Sequence, residues 1–135
     1  MRVSERMTKN IITVTPETTL SEALRIVHEK KIRHLPVVAE GRLVGIVTDR
    51  DLKKVSASEA TTLSVWELNY LLDRVKIKDF MIRDVISISP ELPIDEAAEL
   101  MIAHRIGSLP VVEDGKVVGI LTETNMVETL VAIMS

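Results

Sequence analysis

The sequence predicts an α/β fold of the α+β kind: two units, each ordered strand, helix, strand, strand, helix, packed with pseudo-twofold symmetry. Three observations carry this. The first is internal repetition. Residues 7–52 align on residues 81–126 with an offset of 74 and no gap, and 16 of the 46 paired positions are identical. Met7 falls on Met81, Pro16-Glu17 on Pro90-Glu91, Leu35-Pro36-Val37-Val38 on Leu109-Pro110-Val111-Val112, and Gly45 on Gly119. A self-match of this length marks a duplication. The second is that each copy switches its apolar period from strand-like to helical and back. The third is size. A chain of 135 residues suffices for one compact domain or for two very small units that share a core. A lone three-stranded sheet with helices on one side leaves its other face bare. The two copies are therefore expected to pack face to face, with clefts where their loops meet.

The elements follow in order. Ile11-Ile12-Thr13-Val14 reads as a short strand ended by Pro16. Thr19-Leu20-Ser21-Glu22 is a capping box. The helix behind it sets Leu20, Ala23, Leu24 and Val27 on one face, and Pro36 is expected to close that helical stretch. Val37-Val38 begins a strand, Glu40-Gly41 turns it, and residues 43–47 return. The matching turn in copy two is Asp114-Gly115, a favoured two-residue hairpin pair. Residues 48–52 open a second helix. Within the joining segment, residues 53–79, Ser64-Val65-Trp66-Glu67 is another capping box. Val65, Leu68, Leu71, Leu72 and Val75 follow at helical spacing and predict a helix of about three turns. Residues 76–79 lead into copy two as residues 2–5 lead into copy one. The apolar closing segment, residues 126–134, predicts a packed helix. The chain thus divides into residues 1–62, the first unit with the start of the joining segment, and residues 63–135, the joining helix with the second unit.

Composition narrows the function. The formal charge is −3, with no concentrated basic footprint of the kind a duplex binder carries. Trp66, Tyr70 and Phe80 are the only aromatic residues, too few and too clustered for a single-strand stacking platform. No nucleic-acid partner is expected. Apolar stretches are broken by charge before they reach a membrane span, so no membrane partner is expected either. Residues 1–6 lack the apolar core of a secretion signal. There is no cysteine, which excludes disulfides and thiolate metal sites and fits a cytoplasmic protein.

An enzyme is the main rival class. Asp49 and Asp51 could form an acid–base pair, but their alternation at a helix start aims them in different directions. His28, His34 and His104 lack ligand spacing with one another or with acidic residues, and His28 and His104 are explained by helix ends. Five glycines occur in all, and neither a Gly-x-Gly-x-x-Gly motif nor a phosphate-loop Lys is present. No catalytic residue, no metal and no required cofactor is expected. A third class is a ligand-free scaffold that dimerises or binds a partner through Trp66, Tyr70 and the apolar terminal helix.

The opening Met with its Val-Thr-Pro-Glu text, the Leu35-Pro36-Val37-Val38 strand and the run Gly45-Ile46-Val47-Thr48-Asp49-Arg50-Asp51 resemble the CBS-domain family, named for cystathionine β-synthase. The resemblance covers almost the whole chain as a tandem pair. Residues 64–70 are similar to stand-alone prokaryotic pairs, including those of acetoin-utilisation proteins. The resemblance implies a non-catalytic regulatory sensor that binds an adenosine-containing ligand in the cleft between copies: AMP, ADP or ATP, with S-adenosylmethionine as a further candidate. It implies association into a homodimer, and the regulated protein would be a separate chain.

It also implies site residues. At the position of Asp51, the family uses a carboxylate whose two oxygens accept both ribose hydroxyls. Thr48 would support phosphate or ribose at a helix N-terminus. The bland alternative is that Thr48 merely caps the helix and Asp51 completes its first turn; the two roles are compatible. Arg33 offers a planar charged fork for phosphate, His34 a pH-dependent donor, and Arg50 a further phosphate contact; a solvated basic loop or surface is the alternative for each. Ile12, Thr13, Ile32 and Pro36 would line the base slot, and Thr122 would reach a phosphate from the other copy. Copy two departs from the pattern: Asn125 replaces the carboxylate, and Gly107 and Ser108 stand where copy one has Arg33 and His34. An amide has one acceptor oxygen. The site of Ser87, Gly107, Ser108 and Asn125 is therefore expected to be weaker, altered or empty.

Overall fold

The computed structural model describes residues 1–60 and 63–135. Residue 62, where the sequence reading ends the first unit, lies outside the described residues. Regular elements run in the order α1 (Leu20–Lys30), β1 (His34–Ala39), β2 (Arg42–Thr48), α2 (Asp49–Ala60), α3 (Val65–Leu72), α4 (Ile94–His104), β3 (Ser108–Glu113), β4 (Lys116–Thr122) and α5 (Glu123–Met134). Single 3-10 turns, Val3–Glu5 and Ile77–Asp79, precede the two copies.

Local chemistry accounts for each boundary. Thr19 Oγ1 accepts the Glu22 N–H at 3.1 Å and starts α1. The helix ends at Lys31, which enters the left-handed region at φ 53 and donates its N–H to the Val27 carbonyl. Its counterpart Arg105 does the same after α4, again at φ 53. Left-handed residues are the usual helix stop, so Pro36 does not close the helix as expected. It sits buried inside β1 as the strand's third residue. Both hairpins turn as predicted, with positive φ at Glu40 and Gly41 (53 and 79) and at Asp114 and Gly115 (52 and 81). Two successive positive φ values define the turn that matches strand twist.

The predicted first strand shrinks to a single bridge. Val14 pairs in parallel with Val37: its N–H donates to the Pro36 carbonyl at 3.0 Å and its carbonyl accepts the Val38 N–H at 2.8 Å. A hydroxyl turn then pulls the chain away, with the Thr15 N–H donating to Thr18 Oγ1 and the Thr18 N–H to the Thr15 carbonyl. Ile88 and Val111 repeat this bridge in copy two. The regular sheets are accordingly two-stranded, β1 with β2 and β3 with β4. The second runs antiparallel from Ser108↔Thr122 to Glu113↔Lys116, with an irregularity at Val111/Val112. The joining helix is shorter than expected, eight residues in α3, since Asp73 already caps it.

Packed residues form two compact units. One combines Ile12–Glu40 with Val44–Asp84, the other Val85–Ser135 with Met1–Ile11 and Gly41–Leu43. The lead-in segments are thus exchanged: residues 76–82 complete the unit of copy one, and residues 1–8 complete that of copy two. In the first unit Leu20, Leu35, Val37 and Leu52 close on Ile77 and Met81. In the second, Ile88, Leu109, Val111 and Leu121 close on Val3. Ile77 and Val3 are fully buried, and a buried side chain of this size contributes about 1.5–3 kcal/mol.

The two attachments match bond for bond at the offset of 74. The Ile77 N–H donates to the Thr18 carbonyl, Lys78 to Pro16, and Leu20 to Val75; in the second unit Val3 donates to Leu92, Ser4 to Pro90, and Ile94 to Met1. Lys76 and Lys78 clasp Glu17 at 2.6 and 2.9 Å, as Arg2 clasps Glu91. Ile82 pairs with Ile46, and Thr8 with Ile120. Gly45 and Gly119 make this last approach possible. A Cβ on Gly45 would lie 2.7 Å from Met81 Sδ and 3.0 Å from the Ile82 carbonyl oxygen; one on Gly119 would lie 2.6 Å from Met7 Sδ and 2.9 Å from the Thr8 carbonyl oxygen.

The terminal helix forms as predicted but is not packed along its length. Asn125 and Thr129 are its buried residues, while Val127, Leu130, Val131, Ile133 and Met134 are each more than half exposed. α4 adds an exposed Ile102 beside them. Met126 packs half-buried on the second core, but the later apolar residues point mostly outward because Asn125 and Thr129 take the buried positions.

Candidate functional site

The candidate site in copy one forms where β2 passes into α2. Thr48 ends β2, and its Oγ1 accepts the Asp51 N–H at 3.1 Å; Asp51 Oδ2 accepts the Thr48 N–H at 3.3 Å. This reciprocal cap locks the Asp51 rotamer at the helix start. Among the described residues, no hydrogen bond reaches the other carboxylate oxygen, Oδ1. Asp51 is half-buried, so that oxygen is an acceptor held in a fixed place.

Neighbouring elements converge on this cap. The Asp49 N–H donates to the Arg33 carbonyl at 2.8 Å, which ties the segment after α1 to the start of α2. Arg33 and Arg50 are exposed, and His34 is half-buried at the head of β1. The Val14–Val37 bridge lays Ile12 and Thr13 beside β1. Ile12 and Ile32 pack half-buried on the first core, and Pro36 is buried. Thr13 is exposed. One unit therefore holds Ile12, Thr13, Ile32, Arg33, His34, Pro36, Thr48, Arg50 and Asp51. Thr122 belongs to the other unit, where it caps α5. Asp49 is drawn to Lys53 at 3.1 Å while Asp51 is turned to Thr48, so the two carboxylates do not form an acid–base pair.

Copy two repeats the scaffold with different chemistry. The Glu123 N–H donates to the Gly107 carbonyl at 3.1 Å, Ser108 is buried at the start of β3, and Ser87 is exposed. Asn125 is 8% exposed and satisfied on both ends of its amide. Its Oδ1 accepts the Thr122 N–H at 2.8 Å and the Thr122 hydroxyl at 3.0 Å. Its Nδ2 donates to Thr8 Oγ1 at 3.2 Å and to Glu128 Oε1 at 3.5 Å. Thr8 was missed by sequence reasoning. The signal was present: the offset of 74 sets a hydroxyl at Thr8 against an aliphatic side chain at Ile82.

Among the described residues, Glu17 is the acidic group displaced far from its ordinary value of 4.5, lowered to about 2 by hydrogen bonds from Lys76 and then Lys78. Among the described residues, no group of three or more acidic, His or Cys side chains could hold a metal ion, and no helix is long and apolar enough to cross a membrane.

Comparison with known proteins bears directly on this arrangement. A family model for the CBS domain matches residues 3–58 and again residues 77–132. The chain belongs to the CBS domain family. It is a CBS pair, with mixed helix and strand in both copies. It is similar to an acetoin utilization protein, AcuB, of Vibrio cholerae, with a TM-score of 0.83 and 30% identity over 99% of this chain and 93% of that one. The CBS pair of protein MJ0100, solved with 5-methylthioadenosine and S-adenosyl-L-methionine, matches with a TM-score of 0.83 and 30% identity, covering 98% of each chain. CBSX2 in complex with AMP matches at 0.82 and 30%, covering 99% of this chain and 98% of that one. Among curated sequences, protein MJ1225 of Methanocaldococcus jannaschii is 32% identical over 134 residues. That alignment takes in 93% of this CBS pair but 46% of the relative, so the pair spans about half of that protein's length.

Proposed function

We propose that this CBS pair is a non-catalytic regulatory module that binds an adenine nucleotide at Asp51. The observation that carries the reading is the half-buried Asp51 carboxylate, with one oxygen fixed by the Thr48 cap and the other open among the described residues. A ribose diol supplies two neighbouring donors to such a group. Arg33 and Arg50 supply exposed guanidinium groups in the same unit and favour a phosphorylated ligand, AMP, ADP or ATP, over S-adenosylmethionine. The adenosine ligands of CBSX2 and MJ0100 support the class. The ligand acts thermodynamically: it favours a conformation of the pair by binding it more tightly, and a separate regulated chain reads that conformation as a change in affinity. A cytoplasmic location fits such a nucleotide sensor. The test is calorimetric titration of ligand-stripped protein with AMP, ADP, ATP and S-adenosylmethionine beside Asp51→Ala. Saturable binding lost in the variant is expected. Unchanged affinity in Asp51→Ala overturns the assignment and favours a ligand-free scaffold.

The module is also proposed to work as a homodimer through α4 and α5. These helices enclose a groove of about 540 Å³ lined by Met101, Ile102, Met126 and Val127. Five large apolar side chains are more than half exposed here, Ile102 on α4 and Val127, Leu130, Val131 and Met134 along one stripe of α5. At on the order of 100 Å² each, they supply more than half of the roughly 800 Å² per partner that a stable interface covers. Arg105 and Glu123 both line the groove. A patch bearing both signs of charge can complement a second copy of itself across a twofold axis.

A further inference from the structure

The duplication provides an internal control. At the offset of 74, the lead-in attachments of the two units repeat: three backbone bonds, an acid–base clasp and the bridge beside the glycine. Even the turn bonds agree, with the Arg2 N–H donating to Glu5 and the Lys76 N–H to Asp79. Against this background the side-chain contact from the lead-in strand to the helix-capping residue has no counterpart. Asn125 Nδ2 donates to Thr8 Oγ1 at 3.2 Å. The matching residues are Asp51 and Ile82. Ile82 holds the same backbone bridge, with both Ile46 bonds at 3.0 Å, yet its side chain has no hydrogen-bonding atom. In copy two the lead-in strand reaches across and takes up the group that would face a ribose. In copy one it cannot.

We propose that the Thr8–Asn125 hydrogen bond closes the nucleotide position of copy two from within, and that Ile82 is the residue that leaves Asp51 open, so that each chain presents one site. This rests on the nucleotide reading of Asp51. It differs from a simple loss of the carboxylate. Oδ1 of Asn125 is already held by Thr122, and Nδ2 donates to Thr8 at 3.2 Å and to Glu128 Oε1 at 3.5 Å, so the amide is fully engaged before any ligand arrives. Restoring the carboxylate alone does not reopen the position. In an Asn125→Asp variant the Thr8 hydroxyl turns its proton to the new oxygen and the closure persists. Both residues must change: Thr8→Ile removes the internal partner, and Asn125→Asp supplies the acceptor. Thr8 is exposed and its backbone bonds do not depend on its side chain, so these variants keep the fold.

Two measurements test the closure, one without ligand. Hydrogen exchange of the Asn125 side-chain amide is followed by NMR in the wild type and in Thr8→Val. Exchange about three- to tenfold faster in the variant is expected, the range that one net hydrogen bond supports; equal rates overturn the closure. AMP is then titrated calorimetrically into the wild type, Asn125→Asp, Thr8→Ile/Asn125→Asp, and that double variant with Asp51→Ala. One event is expected in the wild type and in Asn125→Asp, two in the double variant, and one again in the triple. Two events in the wild type, or a second event in Asn125→Asp alone, refute the role of Thr8, as does a double variant that stays at one. If the wild type binds no AMP, the nucleotide reading of Asp51 falls, and the side-chain exchange decides the closure by itself.

Discussion

Replacing Gly119 with alanine should loosen the attachment of residues 1–8 to the second unit. The new Cβ would lie 2.6 Å from Met7 Sδ and 2.9 Å from the Thr8 carbonyl oxygen. The thioether is flexible and can swing aside. The carbonyl cannot, because it accepts the Ile120 N–H at 3.0 Å while the Thr8 N–H donates to the Ile120 carbonyl at 2.9 Å. Relief requires the strand to back away and lengthen both bonds, each worth about 1 kcal/mol net. Val3, fully buried one turn earlier, loses packing with them. Against this, Gly→Ala restricts the unfolded chain and returns about 0.4–1 kcal/mol. The net expectation is a loss of about 1–2 kcal/mol. With a urea slope of about 1–3 kcal/mol per molar, the unfolding midpoint falls by roughly 1 M. Amide exchange at Thr8 and Ile120 should accelerate more than at Ile46 and Ile82, whose bridge is untouched. An unchanged midpoint, or equal acceleration at both bridges, would refute the reasoning.

Other outcomes follow from the same structure. The folded-state pKa of Glu17, about 2, lies below its ordinary value of 4.5. Its clasp with Lys76 and Lys78 therefore stabilises the fold above pH 4.5, and that contribution is lost as the pH falls toward 2. Glu17→Gln should flatten this part of the acid-unfolding curve, and an unaltered curve would count against the clasp. Leu35→Ala and Leu109→Ala, at equivalent and fully buried positions, should each cost about 2–5 kcal/mol in urea unfolding; a cost below 1 kcal/mol at either would contradict its place in the core. Leu130→Glu with Val131→Glu should halve the mass measured by light scattering while far-ultraviolet circular dichroism stays the same. A variant that keeps the wild-type mass would remove α5 from the dimer interface.

Much of the fold was legible because the sequence states it twice. The capping residues Thr19 and Ser64 follow from local chemistry, and the duplication reinforced the hairpin turns and the buried faces of α1 and α4. Local rules failed where a distant segment decided the outcome. The run at residues 11–14 has strand composition, but Thr15 and Thr18 turn it away after one bridge. Pro36 looked like a helix stop, yet Lys31 had already ended the helix in a conformation that no lysine propensity announces. The residues 2–5 and 76–79 looked like simple lead-ins. Nothing local reveals that each completes the unit of the other copy, because the partners are carbonyls of residues far along the chain. The candidate site was legible at Thr48 and Asp51, where the cap and the proposed ligand role share one carboxylate. Thr8 was not, since a threonine in a lead-in strand signals nothing until Asn125 is placed beside it.

The exchanged lead-ins also set an order on synthesis. The first unit can close once the ribosome has released Ile77 and Met81, with its own copy already made. The second needs Val3 and Met7 to remain unclaimed until β4 and α5 emerge more than a hundred residues later. Long closures of this kind slow folding more than they weaken the product. A fragment ending at residue 62 would lack Ile77 and Met81 and leave its core open, whereas a permuted chain that carries residues 1–8 after α5 would place each unit's residues closer together and fold faster.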